Sequence, residues 1–202
     1  MIQRAAASLA KLWAKNGVIP ANEMDAYQYG LELMLSTSAN IAVMVILSAA
    51  AGHPWFFIPY LAAFIPLRLS AGGYHAKRHL SCILFNAVVY GVSLMIVTML
   101  APSAAIVSCF LESCLSLTVI FLIAPVPVKN KPLSSSEEKR NRRLSLSLGF
   151  LYLTLCVLFY YTDTLALVWC RVIFCGQAAA TLLLIVEKMV AVKNKKGVSP
   201  MG

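Results

Sequence analysis

The sequence predicts an all-α polytopic membrane protein: about six transmembrane helices behind an N-terminal amphipathic interfacial helix, in one integral membrane domain over 1–202. Three observations predict it. The chain is 60% hydrophobic and only 12% charged, against about 45–50% apolar and about 25% charged in soluble domains. Its apolar residues form runs close to the roughly 20 residues that cross a bilayer as a helix. Its Lys and Arg residues cluster in alternate connecting segments, as the positive-inside rule requires. This composition excludes a disordered chain, a coiled coil and an ordinary cytosolic enzyme.

Taken in order, residues 1–21 are not a signal peptide, because Lys11 and Lys15 interrupt any apolar core. Ile2, Ala6, Leu9 and Trp13 fall near helical spacing with Arg4, Lys11 and Lys15 off the stripe, which reads as an amphipathic helix on the cytoplasmic surface. Asn22 is a candidate cap, with Glu23 and Asp25 in the first turn behind it. Six spans follow, near 35–51, 54–69, 82–101, 104–125, 144–161 and 164–187. The second is short and carries Pro54, Pro59 and Pro66, so a kink is expected. Leu133 to Arg143 reads as a polar loop entering span five. Residues 191–202 read as a cytoplasmic tail, disordered from Lys195.

Of the 17 Lys and Arg residues, all but Arg171 fall in the N-terminus, the segments between spans two and three and between spans four and five, and the tail. That puts both termini and both long loops in the cytoplasm. The formal charge of +9 is therefore chiefly a topology signal, and nucleic acid is not an expected partner. Cys109, Cys114, Cys156, Cys170 and Cys175 lie in apolar runs and read as small hydrophobes. Tyr160, Tyr161 and Trp169 fit an aromatic belt at the outer face. Glu112 and Arg171 are costly in hydrocarbon and should face protein. Both lie roughly 10–12 Å below the outer edge at about 1.5 Å per residue, which predicts an ion pair across spans four and six. The functional alternative is a substrate or ion pathway.

Chemistry is concentrated between spans two and three, from Arg68 through Gly72-Gly73-Tyr74-His75-Ala76-Lys77-Arg78-His79 to Ser81-Cys82. The two glycines permit a sharp turn. Three readings stay open. In the first, Cys82 is a nucleophile and His75 its base. A thiol needs activation at neutral pH, and Cys82 would open span three, with Ser81 as a cap, where the helix dipole favours negative charge. Seven residues of straight helix span about 10.5 Å, so this dyad needs the chain before Cys82 to bend back. In the second, His75, His79 and Cys82 share one helix face and hold a metal such as zinc. In the third, the segment is a basic juxtamembrane loop with a structural cysteine. Asn86, one turn beyond Cys82, either orients a histidine or binds an oxyanion, or is a helix-packing amide. Glu32, at the cytoplasmic edge of span one, either orients His75 or is a solvated surface carboxylate.

The run Arg68…Gly72-Gly73-Tyr74-His75-Ala76-Lys77…Cys82 resembles the motif of the accessory gene regulator protein B (AgrB-like) family, the membrane peptidases of bacterial quorum sensing. Tyr29-Gly30-Leu31-Glu32 looks like that family's N-terminal element. Ala124-Pro125 through Lys129-Asn130-Lys131-Pro132-Leu133 looks like its second. The resemblance implies a cysteine endopeptidase in the bacterial cell membrane with His75 and Cys82 as its dyad, no cofactor and no metal. The substrate it implies is a small AgrD-like propeptide, cleaved near its C-terminal end through an acyl-thioester on Cys82 and cyclised to a lactone or thiolactone. Arg68, Gly72, Gly73, Lys77, Asn86, Glu32, Lys129 and Lys131 are the supporting or substrate-binding candidates. The resemblance also implies a homodimer. Two rivals remain: a transporter for a peptide or small solute with Glu112 and Arg171 in its path, and a structural scaffold.

Overall fold

The computed structural model describes residues 2–72, 79–99, 102–126, 134–159 and 164–196. Among these residues the regular elements are all helical: α1 (Ile2–Lys15), a 3₁₀ turn (Ala21–Glu23), α2 (Met24–Ala50), α3 (Phe57–Ala71), α4 (His79–Met99), α5 (Pro102–Ile123), α6 (Ser135–Phe159) and α7 (Thr164–Lys196). Three helices are long and apolar enough to cross a membrane, over Met24–Ala50, Leu80–Met99 and Val168–Val192, and Phe57–Ala71 and Val107–Ile123 are shorter apolar helices. Large apolar side chains such as Ile46, Val88, Leu115 and Phe150 stay exposed along these helices. In water such surfaces would aggregate; against lipid they are solvated. The protein is a helical membrane protein.

The chain divides into two compact units. The first holds α1, α2 and α4 up to Val88; the second holds α3, α4 from Val89, and α5 to α7.

In the first unit α1 packs on α2. Ala6 and Ala10 are fully buried against Leu31, with Trp13, Met24 and Leu35 around them. Of the apolar stripe Ile2, Ala6, Leu9 and Trp13, Ala6 and Trp13 pack in this cluster and Leu9 is 37% exposed. The small alanines let the two backbones approach closely. Arg4, Lys11 and Lys15 form the exposed cationic face. Asn22 is not the cap of α2. Glu23 donates its N–H to Pro20 O at 3.1 Å, so Asn22 lies within the 3₁₀ turn. The N-cap is Glu23, with no side-chain cap bond.

In the second unit α3 runs from Phe57 to Ala71 with Pro59 and Pro66 within it. Pro59 lies in its first turn, where an N–H has no intrahelical acceptor anyway. Pro66 is inside the helix, and Ser70 Oγ donates to the Pro66 and Leu67 carbonyls at 2.9 and 3.2 Å. Gly176 lets α7 press onto α3: a Cβ there would lie 2.5 Å from Tyr60 O and 3.2 Å from Ala63 Cβ. Tyr152 Oη on α6 donates to Ala63 O at 3.1 Å. Tyr60 meets Tyr90 edge to face, ring centroids 4.7 Å apart.

Three boundaries differ from expectation. α6 begins at Ser135, so most of the segment expected as a loop is helix. Ser134 and Glu137 form a capping box: Glu137 N donates to Ser134 Oγ at 3.3 Å, and Ser134 N donates to Glu137 Oε2 at 2.9 Å. Farther along, Arg142 bonds Phe121 O at 3.3 Å. α4 includes His79, which places Ser81 inside the helix rather than at its cap. α7 continues to Lys196, past the expected start of disorder at Lys195.

Candidate active site

Cys82 lies in the opening turn of α4, half-buried. One turn later on the same face is Asn86, 6% exposed. The Asn86 amide nitrogen carries two hydrogens, and the first unit offers an acceptor for each. Nδ2 donates to Cys82 Sγ at 3.7 Å and to Asn40 Oδ1 on α2 at 3.2 Å. Asn40 is held in turn, its Nδ2 donating to Ser36 O at 3.0 Å. The result is a relay from the α2 backbone through two amides to the thiol. The Asn86 amide joins α4 to α2, as a helix-packing amide does, and also touches the sulfur. A donor directed at sulfur stabilises electron density there. Asn40 and Ser36 were not singled out from the sequence. The available signal was an amide, Asn40, within the expected 35–51 span.

His75, Gly73 and Lys77 lie outside the described residues, as do Lys129, Lys131, Tyr160, Tyr161 and the side chain of His79. Among the described residues no group of three or more His, Cys, Asp or Glu could hold a metal ion.

On the approach to the His75 segment, Arg68 stands in the last turn of α3 with its guanidinium over the Phe64 ring, 5.4 Å from the centroid. Gly72 ends the helix, donating its N–H to Arg68 O at 3.1 Å. Its φ of +86° is a left-handed value that glycine adopts without strain. Beside it, Val126 N donates to Ala71 O at 3.0 Å. A Cβ on residue 72 would lie 2.6 Å from Val126 O.

Glu32 on α2 accepts a bond from Gln28 Nε2 at 3.1 Å and is half-buried. In the second unit, Glu112 Oε1 accepts from Ser116 Oγ at 2.6 Å. Arg171 is 5% exposed and donates from Nη1 to Val97 O at 3.1 Å. These two charges lie on α5 and α7, which pack together. Trp169 is 37% exposed and meets Phe56 edge to face, centroids 5.4 Å apart.

A comparison with protein families matches the one described as Accessory gene regulator B to residues 5–184, nearly the whole chain. No curated protein and no solved structure matches the chain.

Proposed function

The chain belongs to the Accessory gene regulator B family, whose members process quorum-sensing propeptides at the membrane, and from that membership we propose that it is a cysteine endopeptidase with Cys82 as nucleophile and His75 as base. Its substrate is a small AgrD-like propeptide. The observation that carries this reading is the family match, whose range of residues 5–184 includes the Arg68–Cys82 segment. The amide that Asn86 directs at Cys82 Sγ supports it.

His75 takes the thiol proton, and the Cys82 sulfur attacks a peptide carbonyl near the propeptide's C-terminal end. A C–S bond forms and the C–N bond breaks. The departing amine takes its proton from His75. The acyl-thioester keeps much of its reactivity. A Cys or Ser side chain within the bound propeptide attacks it, its proton passing to the Cys82 sulfur by way of His75. The product is a thiolactone or lactone ring, and the enzyme thiol is restored. Exclusion of water favours this ring closure over hydrolysis. Arg68, Gly73, Lys77, Lys129 and Lys131 bind or position the propeptide, the cations attracting its acidic tail. Glu112 and Arg171 offset each other's charge across α5 and α7.

The protein works in the bacterial cell membrane as a homodimer. It has six spans, α1 at the cytoplasmic interface, and both termini and the His75–Cys82 segment in the cytoplasm. The placement of every Lys and Arg except Arg171 supports this topology.

The test is co-expression with the cell's own AgrD-like propeptide. Cys82→Ala and His75→Ala should each abolish cleavage while the protein remains in the membrane at wild-type level. Cleavage that persists in Cys82→Ala would end the proposal.

A further inference from the structure

Two stretches far apart in sequence meet at one buried backbone junction. Ala71 O, at the end of α3, accepts the N–H of Val126, just past α5, at 3.0 Å. Ala71, Ala124 and Val126 are 2%, 2% and 4% exposed. Gly72 passes so close that a Cβ would lie 2.6 Å from Val126 O, and its φ of +86° excludes a side chain independently. The contact answers a local need: the last carbonyls of a helix have no intrahelical donors, and Val126 supplies one.

The junction also stands at the root of two chemical segments. His75 follows Gly72 by three residues, and Lys129 follows Val126 by three. Three residues of extended chain span at most about 11 Å. Both groups are therefore tethered to one point, whatever path either segment takes.

We infer that the Ala71–Gly72 and Val126 junction is a positioning device of the peptidase site, anchoring the stem of the His75 segment to the stem of the Lys129–Lys131 segment. It rests on the peptidase reading and deepens it. The anchor keeps the chain that leads to the base beside the chain that leads to the cations. The device works through backbone alone: a glycine that admits no side chain, one N–H and one carbonyl.

The experiment uses the full-length chain in membranes with its propeptide. Gly72→Ala inserts the forbidden Cβ, and Val126→Pro deletes the N–H. A misplacement of about 1 Å can cost about 10²-fold in rate, so each should lower kcat/KM by at least about tenfold. Val126→Ala keeps the N–H and should retain several-fold more of the rate than Val126→Pro. Because either damaging variant could misfold, a second measurement is independent of both. With every cysteine but Cys82 replaced, Ala71→Cys and Val126→Cys are introduced together and oxidised with copper phenanthroline. A cross-link between the two peptides by mass spectrometry, with kcat/KM no more than about threefold below the reduced form, is the expected result. Failure of the pair to cross-link overturns the junction. So do Gly72→Ala and Val126→Pro that cleave at the wild-type rate while Cys82→Ala is dead, and in that case the peptidase reading stands. Cleavage surviving in Cys82→Ala overturns the peptidase reading and the positioning role with it, and the cross-link then reports a contact of the fold alone.

Discussion

Removing the Asn86 amide tests whether the relay from α2 reaches the chemistry. Asn86→Leu keeps approximate volume but deletes both donors, to Cys82 Sγ and to Asn40 Oδ1. A hydrogen bond to a charged group contributes about 1.5–3 kcal/mol, and every 1.4 kcal/mol is tenfold. At 3.7 Å the contact to sulfur is long, so the lower end applies, and a loss of about tenfold in cleavage rate is expected. Asn40→Leu leaves the amide in place but removes the group that aims it, so a smaller loss of about two- to fivefold is expected. If the relay acts as a unit, the double variant should be no slower than Asn86→Leu alone, a non-additivity that unrelated sites do not show. The assay is single-turnover propeptide cleavage, run alongside the rate of Cys82 alkylation by iodoacetamide. The two should fall together. Cleavage and alkylation both unchanged in Asn86→Leu would reduce Asn86 to a helix-packing amide and refute the reasoning.

Gly176→Ala and Gly91→Ala should differ in sign. At 176 the new methyl meets Tyr60 O, at a separation of 2.5 Å, and overpacking of this kind costs about 1–3 kcal/mol. At 91 nothing lies within 4 Å, and the gain in helix propensity should stabilise by about 0.5–1 kcal/mol; denaturation in bicelles reads both. Tyr152→Phe, which deletes the bond to Ala63 O, should cost about 0.6–1.7 kcal/mol by the same measurement, the range for hydrogen bonds between membrane helices. Ser134→Ala should destabilise the start of α6 by about 1 kcal/mol, visible as faster amide exchange confined to its first turns. Glu112→Gln should leave propeptide cleavage within about threefold of wild type, since a neutral amide still accepts from Ser116. Complete loss in Glu112→Gln beside full activity in Cys82→Ala would favour the transport reading.

Much of the helical plan was legible in the sequence because apolar runs and charges are local properties. α2, α3, α4 and α5 fall where their apolar residues accumulate. The capping box Ser134-x-x-Glu137 was also legible in principle. Its signal lay in a charged stretch, and charge was read as loop although Glu, Lys and Arg are strong helix formers. The Gly72–Gly73 pair and the spacing of His75 and Cys82 were plain in the sequence. The Ala71 to Val126 bond was not, because a backbone contact between distant segments leaves no mark on residue type beyond one glycine.

The sequence by itself determined that the chain is helical and that it belongs in a membrane. Transfer free energy and side-chain reactivity are properties of residues and short windows. Only the tertiary structure decided that Ala6 and Ala10 rather than Leu9 meet α2, that Asn40 aims Asn86 at Cys82, and that Gly72 is closed against Val126. Each of these depends on how near two backbones come. That distance is set jointly by the smallest side chains on both surfaces, which neither stretch of sequence specifies alone.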